Sequence, residues 1–146
     1  LARFRYRLQA ALEHASLLER VAALNVAAAT AALDDELGGL AHAERALDAA
    51  GAKLHVTGTI AGFELGEFGR HLEYAERQIV RAKERVAGAR RRLAQARAEL
   101  APLAQRRSAL ERHRERKLEE HRLEEDRAEA AELDETNILR GVTKFA

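Results

Sequence analysis

The chain has no cysteine, so neither a disulfide framework nor a thiolate metal site can be built from it. It has one proline, Pro102, and only 4% aromatic residues. Hydrophobic residues make up 47% of the 146, with alanine the largest contributor. That is not the composition of a packed globule. Alanine, leucine, glutamate and arginine in quantity are the profile of long helices or coiled coils. Neither sign of charge dominates, and a formal net charge of +1 argues against a polyanion binder or an acidic tail. Long apolar runs are missing too. The longest, residues 21–33, is interrupted by Asn25 and Thr30 and falls short of the ~20 residues a membrane span needs. The opening residues Leu1 to Arg7 are charged and lack the apolar core of a signal peptide, so a cytoplasmic protein is expected. At this length a single domain, 1–146, is expected.

What is present is a stripe. From Phe68 the apolar residues step by four and three through Leu72, Ala75, Ile79, Ala82, Val86, Ala89, Leu93, Ala96, Leu100 and Leu103. The stripe meets Arg107 and returns at Leu110. Such spacing, held over about six heptads, is a coiled-coil seam, because about 3.5 residues per turn keeps one narrow face toward a partner helix.

The first 50 residues repeat the pattern. Phe4, Leu8, Ala11, Ala15, Leu18, Ala22, Asn25, Ala29 and Ala32 step by four and three. After Leu33 the stripe slips by one and continues as Leu37, Leu40, Ala43, Leu47 and Ala50. The slip falls beside Gly38 and Gly39, a weak point read as a hinge or, more plainly, as a defect tolerated where two helices approach closely. Residues 51–62 carry three glycines and four β-branched residues, the one convincing turn. Helix one is therefore expected over about 2–50, a turn over 51–62, helix two over 63–136 and a tail over 137–146. Asn137 and Gly141 mark the helix end. Pro102 sits amid helix formers with the stripe in register through it, and so reads as a kink within a helix.

Matching the two stripes gives an all-α fold, a long two-helix antiparallel coiled-coil hairpin. A turn centred near residue 56 sets residue i opposite about 113 − i and leaves everything beyond Arg112 without a partner, as an overhanging C-terminal helix. The apolar stripe fades at about the same point.

Catalytic and metal chemistry have little to work with. The six histidines show no i,i+4 pairing, although His42 and His71 are placed to face each other near the tip. No phosphate loop or nucleophile elbow is present, and a two-helix hairpin encloses no cavity. No enzyme activity, cofactor or metal is expected. Residues 77–97 hold eight basic residues against Glu84 alone. They read as a solvated flank or as a face for nucleic-acid phosphates or an acidic protein. The absence of interleaved aromatics weighs against single-strand binding. Phe63, Phe68 and Tyr74 gather near the tip, as an end plug or a partner surface.

Three stretches together resemble the FliJ family, soluble components of the flagellar protein-export apparatus with relatives in injectisomes. They are Phe4-Arg5-Tyr6-Arg7-Leu8-Gln9-Ala10-Ala11-Leu12 at the start of helix one, and Gly66-Glu67-Phe68-x-x-x-Leu72-x-x-Ala75 at the re-entry into helix two. The third is Leu110-Glu111-Arg112-His113-Arg114-Glu115-Arg116-Lys117-x-Glu119-Glu120, followed by Glu132-Leu133-Asp134-Glu135. The resemblance implies a non-enzymatic stalk and adaptor. Its partners would be the hexameric export ATPase and its regulator, an export-gate membrane protein and export chaperones. No nucleic acid is implied, and membrane contact would come only through protein partners, at the cytoplasmic face of the inner membrane. By position, the implied gate contacts are Leu40, Ala43, Leu47, Phe68, Leu72, Ala75 and Ile79. Ile79 stands where the family has a polar residue, and Ala43 and Leu47 stand where it has tyrosines. The implied ATPase-ring contacts are Arg3, Arg5, Arg7, Arg107, Arg114 and Lys117. The alternative class is a nucleic-acid-binding or scaffolding coiled coil using residues 77–97.

Overall fold

The computed structural model describes residues 3–56 and 62–145. It is all-α: α1 spans Gln9–Val56 and α2 spans Gly62–Phe145, packed against each other as a helical hairpin. No strand occurs among the described residues. The centre of the expected turn, 57–61, and the side chains of His55 and Phe63 lie outside the described residues.

Every α2 position of the apolar stripe from Phe68 to Leu110 is buried or half-buried, with Ala82, Ala89 and Val86 the most enclosed. α1 needs a correction. Asn25, Ala32 and Leu37 are exposed, and the covered positions are instead Ala22, Val26, Ala29, Leu33, Glu36, Leu40, Ala43, Leu47 and Ala50. Extended backwards, the same 4–3 series passes through Glu19 and Ala15 to Leu12. The seam therefore never slips. Two of its positions are glutamates, and a search for apolar residues alone steps around them. Gly38 and Gly39 are exposed, and a Cβ added to either would meet nothing within 4 Å, so no close approach of helices explains them.

The helix bounds differ from expectation at three ends. α1 begins at Gln9 rather than residue 2, because residues 3–8 form a strap whose Tyr6 ring is buried; the helix is entered through the Gln9 N–H donating to the Tyr6 carbonyl at 3.1 Å. α1 also runs on to Val56, which places the hairpin midpoint halfway between Val56 and Gly62. The observed cross-helix partners lie further along α2 than a turn centred near residue 56 places them. Glu36 faces Arg85 rather than the region of residue 77. At the C-terminal side, α2 does not stop at Asn137. One glycine, Gly141, costs a helix only ~1 kcal/mol relative to alanine, no proline follows, and the Thr136 hydroxyl donates to the Glu132 carbonyl at 2.8 Å within the helix.

α2 continues through Pro102 as expected, without a turn. The chain nevertheless divides there into two compact units rather than one: residues 21–101, and residues 1–20 with 102–146. In the first, the core is Ala22, Ala50, Ala75, Ala82, Val86, Ala89 and Leu93. Alanine at contact positions lets helix axes approach toward the short end of the ~8–10 Å range. In the second, Tyr6, Leu12 and Ala15 are the buried residues. Residues 126–140 are exposed at every position.

By length and composition alone, α1 also has an 18-residue window apolar enough to cross a membrane, with mean hydropathy 1.3. The run of residues 21–33 is shorter than that window. The window's apolarity is largely alanine, and Val21 and Leu24 are exposed on the side of α1 away from the seam.

Candidate functional site

In the unit holding the N-terminus, residues 3–8 alternate arginine and apolar side chains. Arg3, Arg5 and Arg7 are exposed, whereas Phe4 is half-buried and Tyr6 buried. An extended chain turns successive side chains to opposite sides, so the strap lays its aromatics on α2 and its guanidinium groups outward. The Tyr6 hydroxyl donates to the Leu110 carbonyl at 3.3 Å and lies 2.7 Å from His113 Nδ1. The Phe4 ring meets His121 edge-on at 5.5 Å, and the Arg114 guanidinium lies 5.8 Å from the Phe4 ring centre. These contacts overturn the expectation that residues beyond Arg112 have no partner. The reason is register: Gln9, the first residue of α1, already faces Arg114.

A cleft of about 560 Å³ opens beside the strap, lined by Arg5, Arg7 and Leu8 on one side and Lys117, Glu120 and Glu124 on the other. Lys117 Nζ donates to Glu120 Oε2 at 2.9 Å and holds that carboxyl below its ordinary value. The basic residues expected to face a ring thus separate into two groups. Arg3, Arg5 and Arg7 make no ion pair among the described residues. Arg107 is bound to Glu19 and, at 2.6 Å, to Glu111; those hydrogen bonds, Glu19 first, raise its pKa further. Arg114 Nε donates to Gln9 Oε1 at 3.3 Å as well as lying over Phe4. Both are seam residues that tie the helices together.

In the unit of residues 21–101, a second cleft of about 370 Å³ is lined by Gly39, His42, Ala43 and Ala46 of α1 and by His71, Tyr74, Ala75, Gln78 and Arg85 of α2. His42 and His71 do meet at one site. Small residues on α1 leave the space, and Ala43 stands where a tyrosine is implied. Of the implied gate residues, Ala43 and Ala75 line this cleft, while Leu40, Leu47, Phe68, Leu72 and Ile79 are half-buried along the seam. Tyr74, read as an end plug or a partner surface but not among the implied gate residues, is 55% exposed and lines this cleft.

Among the described residues no group of three or more histidines, aspartates or glutamates is placed to hold a metal ion. All eight basic residues of 77–97 are exposed, and Arg85 Nε donates to Glu36 Oε2 at 3.2 Å. A Cβ added at Gly88 would lie 3.6 Å from Arg92 Nη1 and 3.8 Å from Arg91 Nη2, so both guanidinium groups lean toward that glycine.

Two long helices joined along an alanine-rich 4–3 seam, with clefts between their surfaces, define a helical-hairpin protein of the coiled-coil class. The profile of one family, Flagellar FliJ protein, matches residues 4–144, nearly the whole chain, and the chain belongs to the FliJ family. It is accordingly a flagellar export-related protein, of a family that is a non-catalytic component of that apparatus. No curated protein and no solved structure matches the chain significantly.

Proposed function

We propose that the chain is the stalk and adaptor of the flagellar export apparatus, coupling the hexameric export ATPase and its regulator to the membrane export gate and escorting export chaperones. In this reading it works in the cytoplasm, at the inner-membrane face, and reaches the membrane only through protein partners. The observation that carries it is the strap. Phe4 and Tyr6 fasten residues 3–8 to α2, and the fastening leaves Arg3, Arg5 and Arg7 exposed, with Arg5 and Arg7 lining the cleft that Lys117, Glu120 and Glu124 share. A strap already ordered avoids ~0.5–1.5 kcal/mol of ordering cost for each side chain it immobilises on binding. Arg107 and Arg114 act in this account as seam residues rather than ring contacts. The gate surface is the cleft of Ala43 and Ala75 with Tyr74, His71 and Gln78 at its edge, and with Leu40, Leu47, Phe68, Leu72 and Ile79 behind it.

The test is ATP hydrolysis by the hexameric export ATPase titrated with the full chain and with a chain lacking residues 1–7. The full chain is expected to stimulate turnover, and the truncated chain to lose that stimulation while keeping its helicity. Full stimulation by the truncated chain would remove this end from the ring.

A further inference from the structure

Two stretches of α2 carry opposite charge in equal measure. Residues 77–97 hold eight basic residues against one carboxylate, and residues 119–135 hold nine carboxylates against two arginines, an excess of seven each way. The basic side chains are all exposed, and among the described residues the one ion pair they make is Arg85 with Glu36. In the acidic stretch, Glu120 pairs with Lys117 and Glu125 lies 3.7 Å from His121, while residues 126–140 are exposed on every face.

Both stretches belong to α2, and among the described residues no ion pair joins one stretch to the other. Each also carries an internal cost. Arg77, Arg81 and Arg85 follow at four-residue spacing, where like charges repel. A helical segment with no packed face gains nothing from burial, and isolated helices shorter than ~12–15 residues are marginal in water.

We infer that the acidic stretch of one copy docks along the basic stretch of a second copy. Arg77, Arg81 and Arg92 supply planar guanidinium forks suited to paired hydrogen bonds with carboxylates, and Glu124, Glu129 and Glu132 supply carboxylates from an uncovered stretch of helix. Docking relieves the like-charge rows on both partners at once. Nucleic acid fits the same face less well. No aromatic interleaves the basic stretch to stack on bases.

The experiment is sedimentation equilibrium of the full chain, with three variants checked for helicity. One carries Arg77→Glu, Arg81→Glu and Arg92→Glu, and a second carries Glu124→Arg, Glu129→Arg and Glu132→Arg. A third, neutral variant replaces the same three arginines with glutamine. The native chain is expected to self-associate at ~50 mM salt and to weaken at least ~tenfold by ~300 mM, as screened ion pairs do. Each variant alone should be a monomer. An equimolar mixture of the first two should associate again, because one retains the acidic face and the other the basic face. A native chain that stays monomeric at low salt overturns the inference, as does association unchanged in the glutamine variant. A monomer that instead binds single-stranded DNA through the three arginines would assign the face to phosphate and also overturn it.

Discussion

The Tyr6 hydroxyl lies 2.7 Å from His113 Nδ1, across a separation of 107 residues, and with it the strap of residues 3–8 is fastened to α2. Tyr6 is 9% exposed, on a strap that is not helical. Its removal should therefore be visible in stability but not in helix content. Tyr6→Phe is expected to cost about 1 kcal/mol, the net worth of an ordinary hydrogen bond. Tyr6→Ala should cost about 3 kcal/mol, as for other large buried aromatics. Urea unfolding gives both values, and limited proteolysis should cut residues 3–8 in the alanine variant. An uncut strap in Tyr6→Ala would mean that Phe4 and Arg114 hold it alone.

The alanine seam gives a second prediction. Ala82 is fully buried, and its neighbours Val86 and Ala89 are 4% and 1% exposed. Replacing a small residue there forces the helices apart. Ala82→Leu should destabilise by about 1–3 kcal/mol, the usual cost of overpacking. A melting temperature equal to or above the native one would show that the seam has slack.

A third prediction concerns Glu19 and Arg107, a charged pair at a seam position. Removing one partner leaves the other unpaired, whereas apolar residues at both positions continue the stripe. Glu19→Ala should lower the melting temperature. The double variant Glu19→Leu with Arg107→Leu should restore or exceed the native value. A double variant less stable than Glu19→Ala would show that the pair contributes more than packing can replace.

At the proposed gate surface, exposure separates two roles. Tyr74 is 55% exposed, so Tyr74→Ala should change stability by less than ~0.5 kcal/mol. Phe68 is half-buried, and its loss should cost less than the ~3–5 kcal/mol of a fully buried phenylalanine. Both should weaken binding to the gate protein by ~2 kcal/mol or more, as exposed or thinly covered aromatics at binding surfaces do. Calorimetric titration of folded variants checks this. Unaltered affinity in both would leave Phe68 a core residue only.

The two helices and the α2 seam were legible in the sequence because a 4–3 apolar series has no competing explanation. Three features were less so, for specific reasons. Glu19 and Glu36 are polar members of an apolar seam, covered because Arg107 and Arg85 answer them from α2. Nothing in either residue's type announces a partner so distant in sequence. The register was misread, by eight residues at Glu36 and thirteen at Glu19, because residues 51–56 carry turn-like composition yet remain helical. The strap was legible in principle. Arg3, Phe4, Arg5, Tyr6 and Arg7 alternate with period two, but Phe4 and Leu8 also fit a period of four, and the helical reading won.

The central claim assigns the strap to the ATPase and the Tyr74 cleft to the gate. The most direct measurement is photo-crosslinking of the full chain, with a photoreactive residue at Arg5 in one sample and at Tyr74 in another, mixed with the hexameric export ATPase and the cytoplasmic part of the gate protein. The account predicts that position 5 captures the ATPase and position 74 captures the gate protein. Capture of the gate protein from position 5, or of the ATPase from position 74, would contradict it.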